Sequence, residues 1–124
     1  MNKKPKISIV TITFNSSETI RDTIDSVISQ DYKHIEYIII DGKSTDDTID
    51  IIKSYGDKVS HLISEEDDGL YDAMNKGIRA ATGDVVGILN ADDLYYTNHL
   101  VSDVAEVFIL NDVDSIYGDL LYVD

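Results

Sequence analysis

The residues best able to do chemistry stand at the ends of apolar runs. Thr13 and Asn15 close the run that begins at Ile7, Asp41 follows residues 37–40, and Asn90, Asp92 and Asp93 follow residues 85–89. Carboxylates gathered at one edge repel each other, so a divalent cation suits the place, and oxygen ligands favour manganese or magnesium. Such a cation can bridge to a diphosphate and turn an acidic site into one that accepts phosphate. A blander reading stands beside each residue. Asp41 before Gly42 is a common turn former, and Asp92 with Asp93 could simply enter a helix. The run from Glu65 to Asp68 reads as a solvated loop. Tyr71, Tyr95 and Tyr96 read as half-buried packing rather than sugar platforms. His34, His61 and His99 show no ligand spacing and read as structural or surface residues.

The elements that must position these groups alternate in type. Residues 7–14 are β-branched and apolar on both faces, as expected of a strand covered on both sides in a parallel sheet. Ser16 or Ser17 can cap a following helix with Ile20, Ile24, Val27 and Ile28 at helical spacing and Gln30 at its exit. Residues 37–40 form a second strand, and Thr45 can cap a helix with Asp46 and Asp47 in its first turn, a buried stripe of Ile49, Ile52 and Tyr55, and Gly56 as its stop. Residues 59–63 predict a weaker third strand. A third helix over 70–81 puts Ala73, Met74, Gly77 and Ile78 on one side, with Gly83 as its stop. Residues 85–89 make the fourth strand, 98–110 the fourth helix, and 115–117 open a fifth strand. Strands alternating with helices imply a mostly parallel sheet between helical layers, whose strand ends share one edge. Ligands of such sheets bind there.

With 124 residues and 43% apolar content, the chain can bury one sizeable core but not two, so residues 1–124 read as one domain. A net charge of −14 excludes binding to nucleic acid or anionic lipid through clustered cations. A phosphorylated ligand therefore needs a metal or backbone amides. The chain contains no cysteine, which rules out thiolate zinc and disulfides and suits a cytoplasmic setting. No run is long enough for a transmembrane segment. The Gly-rich loop ending in Lys-Ser or Lys-Thr is absent, as is G-x-G-x-x-G after a strand, which disfavours a P-loop ATPase and a dinucleotide dehydrogenase.

Three stretches resemble the family 2 glycosyltransferases. ISIVTITFN, residues 7–15, is similar to the family's opening strand, and IIIDGKSTDDT, residues 38–48, to its second strand and turn. DGLYDAMNKGIRAATGDVVGILNADD, residues 68–93, carries Asn-x-Gly, Thr-Gly-Asp and Asp-Asp elements in the family's order and spacing. The resemblance covers nearly the whole chain. It implies a three-layer α/β/α, Rossmann-like GT-A nucleotide-diphospho-sugar transferase fold, and inverting transfer of a sugar from a nucleotide donor, a UDP-sugar, to a sugar or lipid-linked acceptor in polysaccharide or glycoconjugate synthesis. By the same resemblance Asp41 contacts the base, Asp92 holds metal and diphosphate with Asp93 beside it, Thr11, Thr13 and Asn15 contribute to the nucleoside pocket, and Asn75 joins on the Asn-x-Gly match. The metal is manganese or magnesium, and the full-length protein would be cytoplasmic, peripheral to the membrane.

Two positions depart from the family pattern. Asn90 stands where many members have the first Asp of D-x-D, and Gly42-Lys43 replaces the commoner Asp-Gly, with Lys43 within reach of a phosphate or merely solvated. Family catalytic domains are about twice this long, so the chain is expected to stop before the acceptor site and general base. Neither Asp119 nor Asp124 carries a motif marking it as that base. A non-catalytic nucleotide-sugar-binding module is the first alternative. A signalling receiver domain is the second, although Phe14 and Asn15 occupy the place where a receiver needs an acidic pair.

Overall fold

The computed structural model describes residues 4–111. The elements are β1 (Ile7–Thr13), α1 (Ile20–Ile28), β2 (Ile35–Asp41), α2 (Thr48–Lys53), β3 (His61–Ser64), α3 (Leu70–Ala80), β4 (Val85–Asn90) and α4 (Leu100–Asn111), with a 3₁₀ turn at Gly56–Lys58. The four strands form one parallel sheet in the order β3-β2-β1-β4. In the central strand, Ile7 lies opposite both Ile35 and Val85. The expected fifth strand and the carboxylates Asp119 and Asp124 lie outside the described residues.

Alternation along the strands divides the core in two. Ile7, Ile9, Tyr37, Ile39, Val85 and Leu89 pack with residues of α1, α2 and α4, among them Ile20, Ile24, Ile52 and Val101. Val10, Ile38 and Ile40 point the other way, against Ala73 of α3. The result is the expected three-layer α/β/α arrangement. Burying both faces explains why β1 and β2 read as continuous apolar runs, with each enclosed isoleucine contributing about 1.5–3 kcal/mol.

Strand order decides where a ligand can sit. The chain steps outward from β1 to β2 to β3, then crosses to place β4 on the other side of β1. This order begins the doubly wound dinucleotide-binding pattern, whose crevice opens between the strands where direction reverses. A receiver domain would put β3 beside β1, so the topology rules that alternative out.

At the opposite end of the sheet a buried carboxylate ties the layers together. Glu36 accepts from the Ser8 hydroxyl at 2.8 Å, the Thr82 amide at 2.8 Å and the Thr82 hydroxyl at 2.9 Å, with the Lys6 ammonium at 3.5 Å. Burial alone would raise its pKa, but these donors outweigh it and bring the value down to about 2. Gly83 belongs to this junction and does not stop the helix as expected. α3 ends at Ala80, and a Cβ on Gly83 would meet the Ser8 hydroxyl at 2.6 Å.

Several helix ends differ from the sequence expectation. α1 starts after Thr19 with no side-chain cap, and the Ser16 carbonyl receives the Thr19 and Ile20 amides instead. α2 starts at Thr48 rather than after Thr45, because the Thr45 amide is drawn to the Asn15 side chain and Asp46 receives the Thr48 amide. α2 ends at Lys53, and Gly56, at φ 59°, opens the 3₁₀ turn. Ile78 is 48% exposed and not on the buried side of α3. Tyr95 is buried, whereas Tyr71 and Tyr96 are largely exposed rather than half-buried.

Candidate functional site

A cleft of about 590 Å³ opens at the carboxyl ends of β1 and β4. Ile12, Thr13 and Phe14 form one wall. Asn90, Ala91 and Asp92 form the far end, while Gly42, Asp67, Gly69, Leu70 and Ala73 close the side under α3. Its size suits a small organic ligand. Three of the expected site residues meet here: Thr13 and Asp92 line the cleft, and Asp93 follows in the same turn. The Thr13 hydroxyl is buried and has no hydrogen-bond partner among the described residues. A buried hydroxyl left unpaired costs about 1–3 kcal/mol.

The other expected residues lie in supporting positions. Thr11 is fully buried, with its hydroxyl 2.8 Å from that of Tyr37. Asp41 is also fully enclosed: its carboxylate accepts from the Ser44 amide at 2.8 Å, the Ser44 hydroxyl at 2.5 Å and the Ser64 hydroxyl at 2.9 Å. Asn15, at φ 47°, accepts the Thr45 amide at 2.8 Å, and its own amide donates to Ser44 at 2.8 Å. Asparagine tolerates this left-handed backbone. Asp41, Ser44 and Asn15 thus link the loop after β1 to the loop after β2, which holds Phe14 and Gly42 on the cleft. Asn75 is exposed on α3 and Lys43 is exposed at φ 67°, both outside the cleft lining.

The turn carrying Asp92 and the chain after it are held by polar side chains on α1, Thr23 and Ser26, and by Gln30 just past its end. The Thr23 hydroxyl lies 2.8 Å from the Ala91 carbonyl and 2.5 Å from that of Asp93. Ser26 accepts the Tyr95 amide at 3.1 Å. Gln30 donates to the Thr97 carbonyl at 2.6 Å and accepts the Val101 amide at 3.1 Å. Sequence reasoning missed this set and treated Gln30 only as the helix exit. Part of its signal was available, since positions 23 and 26 fall on one side of α1 beside the apolar stripe, whereas Gln30 stands at the helix exit. Phe14, 60% exposed, and Asp67 were also missed as cleft residues. An aromatic side chain immediately past an apolar strand was the clue to Phe14. Asp67 lay inside the run read as solvated, and nothing local singled it out.

Asn90, Asp92 and Asp93 present only oxygen-bearing side chains for a cation. Among the described residues no group of three or more His, Cys, Asp or Glu gathers to hold a metal. Such a set is too small for a closed protein cage around a hard cation and suits only one that takes further ligands from elsewhere.

Residues 8–124 match the family described as Glycosyl transferase family 2. The chain belongs to that family. It is 37% identical over 111 residues to an uncharacterized glycosyltransferase of Rickettsia typhi, covering 90% of this chain and 34% of that protein. Its fold matches the mannosyltransferase PcManGT of Pyrobaculum calidifontis, solved with GDP-Man and Mn2+, with a TM-score of 0.78 and 26% identity over 86% of this chain and 33% of that one. It also matches S. aureus TarS 1-349 in complex with UDP-GlcNAc, with a TM-score of 0.77 and 25% identity over 83% of this chain and 31% of that one. The chain spans about a third of the length of these proteins. The fold is the GT-A type of this family, and the sheet edge that holds the cleft is the one the sequence pointed to.

Proposed function

We propose that this chain forms the donor-binding part of an inverting glycosyltransferase that takes a nucleoside diphosphate sugar, with a UDP-sugar as the donor. The observation that carries the reading is the cleft at the β1–β4 reversal, which has Asp92 at one end and an unpaired buried hydroxyl, Thr13, in its wall. Phe14 offers an exposed aromatic face on which a base can stack. In this reading Thr13 contributes to the nucleoside pocket, and Thr11, Asn15 and Asp41 keep the wall in shape from behind. Asn75 remains a candidate contact on the family motif alone.

Asp92, with Asp93, would hold a manganese or magnesium ion, which supplies positive charge to the diphosphate as it leaves. The chain's own carboxylates orient that end of the donor, and the Thr23-anchored turn keeps them at the cleft. The acceptor, a sugar or a lipid-linked sugar, and the base that deprotonates its hydroxyl are assigned to a further part of the full-length protein, since relatives are about three times as long. Residues 1–124 would then be one donor-binding domain of a polysaccharide- or glycoconjugate-forming enzyme acting in the cytoplasm at the membrane surface. No helix among the described residues is long and apolar enough to cross a membrane.

Calorimetric titration with uridine and guanosine diphosphates, with and without manganese, tests the reading. Manganese-dependent binding of one nucleotide, lost in Asp92→Ala, is the expected result. Equal affinity in Asp92→Ala would remove Asp92 from its role, and no binding of either nucleotide would sink the donor-site reading.

A further inference from the structure

Lys76, the middle residue of the Asn-x-Gly element, gathers the acidic loop before α3 around one ammonium group. Its Nζ donates to the Glu66 carbonyl and to Asp67 Oδ1, both at 2.7 Å, and lies 3.2 Å from Glu65 Oε1 and 3.4 Å from Asp72 Oδ2. The run from Glu65 to Asp68 is therefore ordered around a cation, while Glu65, Glu66 and Asp68 stay exposed, as the composition of the loop suggests. The Lys76 and Asp67 side chains are only 13% and 12% exposed, so this pair is not a screened surface contact. Hydrogen bonding to Asp67 raises the Lys76 pKa despite some desolvation, which keeps the ammonium charged.

The free edge of that loop is the cleft wall. Asp67 and Gly69 line the cleft, and Asp67 Oδ2 would lie 3.1 Å from a Cβ placed on Gly42. The loop is tied further by the Glu65 amide to the Asp41 carbonyl at 3.0 Å and by the Asp68 amide to Asp72 Oδ2 at 2.9 Å. An unpaired carboxylate at position 67 would repel a nucleoside diphosphate and lack a partner for its buried oxygen.

We propose that Lys76 is a positioning residue of the donor site: it latches loop 65–69 onto α3 and cancels the charge of Asp67, so that the wall tolerates an anionic nucleotide while Asp92 remains the acidic end. This inference rests on the donor-site reading. Lys76 does not touch the ligand and acts through Asp67.

The test uses the full chain with Lys76→Met, Lys76→Arg, Asp67→Asn and the Lys76→Met/Asp67→Asn double variant. The probes are uridine and guanosine diphosphates with manganese, and amide exchange at Glu65 and Asp68 is followed without nucleotide. Lys76→Met should weaken the bound nucleotide about tenfold or more and speed exchange at those two amides by a similar factor. Lys76→Arg should stay within about threefold, and in the Asp67→Asn background the lysine change should cost less than about threefold. An unchanged affinity or unchanged exchange in Lys76→Met overturns the proposal. So does an equal loss with and without Asp67, which would make the lysine a direct phosphate ligand. If the unaltered chain binds neither nucleotide, the donor-site reading fails and Lys76 loses its assigned purpose, while the exchange rates still report whether the latch exists.

Discussion

Gly77→Ala opposes two effects whose balance the structure decides. Helix propensity favours the change by about 1 kcal/mol, since Gly77 lies inside α3. Packing opposes it more strongly. A Cβ at position 77 would lie 2.3 Å from Val10 Cγ1 and 3.1 Å from Cγ2, whereas carbon atoms rest about 3.5–4.0 Å apart. Val10 is fully buried in the central strand and its χ1 is stiff, so relief must come from α3 moving outward by about an ångström. Overpacking of this kind costs about 1–3 kcal/mol, and a clash this deep belongs at or above the upper end. The expected net loss is about 2 kcal/mol, measured as a lower urea midpoint with unchanged slope. Val10→Ala alone should cost about 2 kcal/mol through the cavity it leaves. The double variant should be more stable than the sum of the two, because the new methyl fills the space vacated by valine. A neutral or stabilised Gly77→Ala variant, or strict additivity with Val10→Ala, would refute the close helix–strand approach.

Other predictions concern the two ends of the sheet. The pKa of Glu36 in the folded state, about 2, lies below its ordinary value of 4.5, so its stabilisation is complete above about pH 4.5 and is lost as pH falls toward 2. Glu36→Gln should flatten that limb of the stability–pH curve, by an amount of the order of 3 kcal/mol; a limb as steep as in the unaltered chain would place the acid sensitivity elsewhere. Thr23→Val should cost about 1–2 kcal/mol in urea unfolding by removing the hydroxyl donor that faces the Ala91 carbonyl, and should weaken manganese-dependent nucleotide binding as well. Retained affinity would show that the turn holds its shape without α1. Phe14→Ala should lower nucleotide affinity about fivefold or more with little change in the unfolding midpoint, since the ring is mostly exposed and its loss removes stacking rather than core. A large drop in stability with unaltered binding would make Phe14 a packing residue.

The sequence by itself determined the type and order of the elements from β1 to α4, because period and burial are local properties of each segment. Continuous β-branched runs could only be strands covered on both faces, and Ile20, Ile24 and Val27 could only share one side of a helix. It also pointed to one edge of the sheet, since parallel strands deliver their ends to the same side, and Thr13 and Asp92 both line the cleft that opens there. Helix starts were legible only to within a few residues, because several side chains competed for the same amides: Thr45 was available as a cap, yet its amide is held by Asn15 thirty residues away.

Only the tertiary structure decided which polar residues face the cleft and which stand behind it. Asp41 and Asp67 are the same chemical group, each beside a glycine-containing turn. Asp41 turns inward because Ser44 and Ser64, brought up by the pairing of β2 with β3, satisfy its oxygens in the interior. Asp67 reaches the cleft wall because Lys76, one helical turn and more into α3, holds its other oxygen. A carboxylate comes to rest where its donors are, and those donors arrive from distant parts of the chain only when the sheet and its helices have assembled.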